Sequence, residues 1–263
     1  MILASDIKRV VVKVGTSTIT YPNGKLNLRH IDRLSRTLCD LKNAGREVVL
    51  VTSGAIGVGA NKLGLKERPK DMPTRQAAAA VGQSELMHIY DKSFTDYGTI
   101  IAQILLTRDV VNDEVSRTNA VSAFNRLFAL EAIPIVNEND TVALDEMGFG
   151  DNDTLSATVA SLVEADLLIL LSDIDGLYDR DPREDSEARL IPVVRELTDE
   201  IAEMAGGAGS ANGTGGMATK IDAARTALAA GIPMVITNGE HTDNIYDICE
   251  GRIKGTLFMP EGK

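Results

Sequence analysis

The residues best equipped to handle a phosphate form one run, Gly213-Thr214-Gly215-Gly216-Met217-Ala218-Thr219-Lys220. Glycines let backbone N–H groups approach an anion closely, the first turn of a helix adds unpaired donors and a partial positive charge, and a lysine one turn inside supplies a full one. The run is not the common phosphate loop, which needs Gly-Lys-Ser or Gly-Lys-Thr; here the lysine stands four residues beyond the last glycine. A glycine-rich hinge ahead of a helix is the plainer reading of the same residues. A second cation, Lys13, sits inside Val10-Val11-Val12-Lys13-Val14-Gly15. An isolated charge in so apolar a run is expensive to bury without an anion, the alternative being an edge-strand lysine that discourages aggregation. Together Lys13 and Lys220 could grip a transferring phosphoryl group from different sides, which is electrostatic catalysis.

Carboxylates and amides cluster at two further points. In Gly150-Asp151-Asn152-Asp153-Thr154 they crowd the head of a helix expected to begin near Thr154, with Asp153 as its N-cap. One cap does not require Asp151 and Asn152 as well. The surplus suggests a carboxylate that orients the lysines and an amide that binds a small polar substrate. Asn137-Glu138-Asn139-Asp140 is equally overloaded after an apolar strand, and offers a carboxylate to a ligand ammonium group, a solvated loop being the alternative. Ser172-Asp173, with Gly176-Leu177-Tyr178 and the Asp181-Pro182 turn, follows the most apolar strand and could frame a nucleotide. His30, His88 and His241 are dispersed, and neither a nucleophilic triad nor a His/Cys cluster of metal spacing is visible. Any metal is expected to be a hard ion such as Mg²⁺ that travels with nucleotide phosphates.

These residues need a scaffold, and the chain alternates short β-branched runs with helical patterns. Strands are expected at Arg9–Val14, Glu47–Val51, Ile100–Leu106, Ile133–Val136, Leu167–Leu171 and Met234–Ile236, several apolar at nearly every position, as strands buried on both faces are. Ile31, Leu34, Leu38 and Leu41 mark one helical face, and Thr74–Asp96, Arg117–Leu130, Thr154–Val163 and Thr219–Ala230 carry helix formers with few breakers. This predicts an α/β fold, a mainly parallel sheet between layers of helices. Five strand exits are small or polar, at Gly15, Thr52-Ser53-Gly54, Asn137, Ser172 and Thr237. In open parallel sheets such exits converge on one ligand crevice.

Composition bounds the function. At 263 residues and 44% hydrophobic the chain can bury a full core. Its charge of −11 argues against nucleic acid or an acidic membrane as the main partner, so an anionic ligand needs a local basic site. Cys39 and Cys249 are expected as buried thiols in a reducing cytoplasm, and neither a signal peptide nor a membrane span is apparent.

With these segments in hand, the chain resembles the glutamate 5-kinases of the amino-acid kinase family. The likeness runs from Val10–Ser17 through Val51–Ile56, Ala80–Gln83, Gln103–Thr107, Val136–Asp140, Gly150–Asp153 and Gly213–Lys220 to Gly255–Phe258. It implies a three-layer α/β/α sandwich in one kinase domain, residues 1–263, with a glutamate-binding N-terminal lobe of about residues 1–165 and an ATP-binding C-terminal lobe of about 166–263. It implies transfer of the γ-phosphoryl of ATP, with Mg²⁺ carried by the nucleotide, to the side-chain carboxylate of L-glutamate, the first step toward proline. Carried over by position, Lys13, Ser172, Asp173 and Thr214–Lys220 would contact ATP; Ser53, Gly54, Asp140 and Asn152 would hold glutamate; Asp153 would organise the lysines. Proline as feedback inhibitor, a homo-oligomer and hand-over to glutamyl-phosphate reductase belong to the same expectation. The RNA-binding-like module of the PUA type found after many such kinase domains is not expected here, and Ser172 stands where the family often has threonine. The competing expectations are a kinase of the same fold acting on acetylglutamate, aspartate, carbamate or UMP, and a non-catalytic amino-acid or nucleotide sensor.

Overall fold

A computed structural model describes residues 4–143, 151–199, 201 and 216–260. Its frame follows from period-two alternation in strands that are apolar on both sides. In β1 (Arg9–Val14) the side chains of Val10, Val12 and Val14 join one hydrophobic core and Val11 the other. β2 (Glu47–Val51) divides in the same way, Val48 and Leu50 against Val49 and Val51. The remaining strands are β3 (Ile101–Leu106), β4 (Ile133–Glu138), β5 (Leu167–Ser172), β6 (Val193–Val194), β7 (Met234–Asn238) and β8 (Thr256–Phe258). The strands of the described residues form one sheet in the order β3-β4-β2-β1-β5-β7-β8-β6, parallel throughout except where β8 runs antiparallel to β7.

Each face of the sheet carries helices. α1 (Thr16–Ile19), α2 (Leu28–Asn43), α3 (Ala55–Lys62) and α4 (Met72–Thr95) contribute to the first core, through Ile19, Leu34, Leu38, Val58, Leu86, Tyr90 and Phe94 among others. Beyond the short α5 (Arg108–Asn112), the second core is filled by α6 (Glu114–Ala129), α7 (Asn152–Leu162) and α8 (Met217–Ala229). α9 (Asn244–Cys249) returns to the first, burying Ile245, Ile248 and Cys249. The result is the expected three-layer arrangement. Both cysteines are buried and free, and burial raises their pKa values, that of Cys249 to about 11, so neither is a ready thiolate.

Two features place the site. The first four strands lie on one flank, in the spatial order β1, β2, β4, β3, and the chain then crosses back to place β5 on the other side of β1, with β7, β8 and β6 beyond it. The reversal beside β1 is where an open parallel sheet leaves a crevice at its carboxyl ends. The second feature is the pairing of α3 with α4, which meet backbone to backbone. A Cβ on Gly59 would lie 1.8 Å from the Ala78 carbonyl oxygen, and one on Gly82 would lie 1.8 Å from that of Ala55. Only glycine admits this approach.

The expected strands appear within two residues of their ends, while β6 and β8 carry no two-residue period and were not anticipated. One helix start requires correction. α7 begins at Asn152, and its N-cap is Asp151, whose carboxylate accepts from the Thr154 N–H at 2.8 Å. Asp153 is therefore inside the first turn and not the cap. The helix loses nothing, and the Asp153 carboxylate is released for other work.

Candidate active site

The first-turn residues of α7 and α8 meet over the end of β1. Alternation puts Lys13 on the same side as Val11, the side on which α7 and α8 pack. There its Nζ pairs with Asp153 Oδ1 at 2.6 Å, while Lys220 Nζ lies 3.1 Å from Asp153 Oδ2. The side chains of Asp153, Lys13 and Lys220 are 1%, 9% and 8% exposed. The Thr219 hydroxyl stands 2.8 Å from both Asp153 Oδ2 and the Gly216 carbonyl, two acceptors competing for its single hydrogen. Burial alone would raise the Asp153 pKa; the charges of Lys13 and Lys220, with hydrogen bonds from Lys13 and Thr219, overcome that and hold it far below the ordinary carboxylate range. Asp153 is thus a permanent anion and not a proton acceptor. Two ammonium groups against one carboxylate leave a net positive charge, which a buried site tolerates best when an anion arrives.

On the β2 side, the strand exit is held by amides. Asn152 Nδ2 donates to the Thr52 carbonyl oxygen and to Asn137 Oδ1 at 2.8 Å, and lies 3.0 Å from Ser53 Oγ. Asn137 Nδ2 donates in turn to Gln83 Oε1 at 2.9 Å. Gly54 follows with φ of 95°, a left-handed conformation that favours glycine, and opens α3 with no side-chain cap, so the first-turn N–H groups are free of a capping oxygen. Below Thr52, its hydroxyl meets the Tyr90 phenol at 2.8 Å, a fully buried contact in which burial pushes the phenol pKa to about 12. Asp140 is raised to about 6, first by burial and then by the charge of Glu138, against the opposing charges of Arg75 and Arg68.

On the β5 side, Ser172 ends its strand buried, and its hydroxyl donates to Asp173 Oδ1 at 3.3 Å. Asp173 is exposed enough to take an ion pair from Arg183 at 2.7 Å. α8 starts at Gly216 without a side-chain cap.

One cavity of about 650 Å³ joins these parts: Ser53, Gly54, Asp140 and Asn152 line it from the β2 and β4 exits, Ser172 and Asp173 from the β5 exit, with Lys13, Asp153 and Lys220 at the strand between. Of the glycine–lysine run, Lys220 lines the cavity; Gly216, Met217, Ala218 and Thr219 do not, and Thr219 is engaged with Asp153 instead. Thr214 and Gly215 lie outside the described residues. Arg68 and Arg75 also line it and are not marked as site residues by the sequence, nor is Gln83, the partner of Asn137; Glu138 and Asn137, which line it too, belong to the overloaded run at the β4 exit. Gln83 could have been found as a polar residue on the apolar stripe of a helix that buries Ala79, Leu86, Tyr90 and Phe94.

Residues 8–238 match the sequence profile of the amino acid kinase family. The chain belongs to that family. Among its relatives, the glutamate 5-kinase of Clostridium tetani is 57% identical over 96% of this chain and 95% of its own length. The glutamate 5-kinase of Clostridium perfringens is 53% identical, covering 97% of this chain and 96% of its own. That of Moorella thermoacetica is 54% identical over 97% of this chain and 68% of its own. Solved structures with the same fold include the UMP kinase of Bacillus anthracis, at TM-score 0.67 and 16% identity over 97% of both chains. The isopentenyl phosphate kinase of T. acidophilum aligns at TM-score 0.64 and 18% identity, over 95% of this chain and all of its own, 100%. Kinases whose names give different acceptors thus share this fold, so the fold alone does not name the acceptor.

Proposed function

We propose that the chain transfers the γ-phosphoryl group of ATP to the side-chain carboxylate of L-glutamate, giving ADP and γ-glutamyl phosphate, the first step of proline biosynthesis. The observation that carries the chemistry is the buried Lys13–Asp153–Lys220 triad within a single cavity. The likeness to glutamate 5-kinases over nearly the whole chain supports the acceptor.

The residues divide the work. Glutamate occupies the N-terminal side, its ammonium group facing Asp140 and Asn152 and its carboxyl groups facing Ser53 and the first turn of α3. ATP occupies the C-terminal side, against Ser172, Asp173 and Lys220 of α8. A carboxylate nucleophile is already ionised at neutral pH, so no general base is required. What remains is to align two anions and neutralise the charge that gathers on the oxygens in flight, which is the part of phosphoryl transfer that proteins supply. Lys13 and Lys220 do this from opposite sides, and Asp153, holding both, fixes their spacing before substrates arrive. Among the described residues no group of three or more His, Cys, Asp or Glu side chains is arranged to hold a metal. Because both Asp153 oxygens are already taken by lysines, Mg²⁺ in this reading would arrive with the nucleotide and would supply positive charge to its phosphates.

No helix among the described residues is long and apolar enough to cross a membrane; cytoplasmic work belongs to the proposed reading. The same reading includes proline as a feedback inhibitor, a homo-oligomer and hand-over of the labile acyl phosphate to glutamyl-phosphate reductase. The test is an ADP-release assay with a panel of acceptors. Glutamate should support turnover, and acetylglutamate, aspartate, carbamate and UMP should not. ADP release that ignores added glutamate would remove the proposal.

A further inference from the structure

We propose that Gln83 of α4 is a positioning residue for the acceptor, fixing which end of the Asn137 amide meets Asn152 and so keeping the Asn152 carbonyl oxygen available to the ligand's ammonium group. The inference rests on the acceptor reading above and adds to it a residue that itself touches no substrate.

An asparagine amide has two ends of nearly equal shape and opposite hydrogen-bonding character. Asn152 has two N–H hydrogens, and its neighbours include the Thr52 carbonyl, which can only accept, and Asn137 Oδ1 at 2.8 Å. With both hydrogens spent on protein oxygens, Asn152 Oδ1 is the end left for a cavity ligand, and an oxygen suits a cationic donor. Ser53 Oγ, 3.0 Å from the same nitrogen, can then accept a shared hydrogen and keep its own proton to donate. The arrangement holds only while Asn137 presents oxygen to Asn152. Gln83 enforces this by accepting from Asn137 Nδ2 at 2.9 Å, in a place where Gln83 is 9% and Asn137 2% exposed and bulk water does not compete. Gln83 Nε2 reaches out to Gln103 Oε1 at 3.4 Å, on the edge strand β3.

The fold also explains why α4 can do this. Gly82, next to Gln83, is the residue pressed against the α3 backbone, so the helix lies close enough for a glutamine to reach the β4 exit. Seven residues on, and therefore on the same helical face, Tyr90 bonds the Thr52 hydroxyl. One stripe of α4 thus braces the two strand exits that hold Asn152. Remove the Gln83 acceptor and Asn137 either keeps a buried unpaired N–H or turns over, setting N–H against N–H at Asn152. Both loosen the ammonium subsite and leave the lysine triad alone.

The test compares Gln83→Met, similar in shape but without the acceptor, with Gln83→Glu, which keeps one. Each is assayed with ATP against glutamate and against glutarate, which has the same carboxylates and no ammonium group. In Gln83→Met, kcat/KM for glutamate should fall roughly tenfold or more through KM, the size of a lost charge-assisted hydrogen bond. Glutarate should change by less than about twofold, and Gln83→Glu should recover most of the loss, on the same hydrogen-bond reasoning. An unchanged glutamate KM in Gln83→Met, equal losses for both acceptors, or no recovery with Gln83→Glu would each overturn the proposal. If Gln83→Met does not fold, Gln83→Glu decides alone: it keeps the acceptor that faces Asn137 Nδ2, so the glutamate KM should stay within about threefold of wild type, and a tenfold rise would overturn the inference by the same measure. A wild-type chain that fails to phosphorylate glutamate would instead refute the acceptor reading.

Discussion

Replacing Asp153 with asparagine removes the anion between two buried lysines and keeps the side chain's shape. Its carboxylate has Lys13 at 2.6 Å and Lys220 at 3.1 Å, and all three side chains are at least nine-tenths buried. Breaking a buried pair by deleting one partner costs about 3–5 kcal/mol, because the remaining charge stays desolvated. Here one deletion strands two cations that also repel each other, so the upper part of that range is expected. For a chain of this size about 1 kcal/mol moves Tm by roughly 2–4 °C, giving a fall of about 10–20 °C, followed by differential scanning calorimetry. Linkage supplies a second signature. Asp153 has a folded-state pKa depressed by the lysines against the pull of burial, so its contribution is fully present above the unfolded carboxylate pKa, about 4, and is lost as pH falls through the lower folded value. The Tm gap between wild type and Asp153→Asn should be constant above about pH 5 and narrow in more acid solution, as follows from that linkage. Inorganic phosphate, entering between the orphaned lysines, should raise the Tm of the variant more than that of the wild type. A variant that melts within about 2 °C of wild type, a shift of under 1 kcal/mol at this size, would show that the lysines are not held by Asp153 and would refute the mechanism built on them.

Lys13→Met and Lys220→Met should each lower kcat by roughly 10²–10³, the usual loss for one charge-stabilising donor, while Asp153 keeps one partner and thermal melting moves far less than in Asp153→Asn; near-normal turnover in both would dispose of the two-lysine grip. Because Asp140 titrates at about 6, chiefly through burial, kcat/KM for glutamate should drop about tenfold per unit as pH falls below that value, and Asp140→Asn should flatten the profile while raising KM. A pH–rate profile that is level down to pH 5 would take Asp140 out of ammonium binding. Gly82→Ala would bring a methyl group to within 1.8 Å of the Ala55 carbonyl oxygen, and forcing α3 from α4 should destabilise by about 1–3 kcal/mol in urea titration, with glutamate KM rising as Gln83 is displaced. An unaltered unfolding midpoint would mean that the two helices do not touch there.

Much of the frame is legible because doubly buried parallel strands advertise themselves as unbroken apolar runs, as Val10–Val12 and Leu167–Leu171 do. β8 is not legible in this way. Its three residues form a strand because β7 offers an antiparallel edge, a fact about a neighbour. The N-cap of α7 is ambiguous in the sequence for a related reason. Asp151 and Asp153 are chemically equal candidates for a cap, and the choice depends on Lys13 and Lys220 claiming the second of them from other parts of the chain.

Residue types and their spacing limit which chemistry is possible here: two lysines in settings where a lone charge is untenable, a surplus of carboxylates and amides at strand ends, and glycines where backbone must approach backbone or an anion. Those are properties of residue type and local period, which a linear string carries in full. The partnerships come from the folded chain. That Asp153 serves both lysines, that Asn137 stands between Gln83 and Asn152, and that Thr219 turns to Asp153 and not to the cavity are settled by the Lys13–Asp153 pair and by contacts spanning 15 positions in Asn152–Asn137, 54 in Asn137–Gln83, 66 in Thr219–Asp153 and 67 in Lys220–Asp153. Such contacts exist only after the sheet has brought distant strand exits to one edge, and hydrogen bonds and ion pairs are decided over a few ångströms of space, which separation along the chain does not encode.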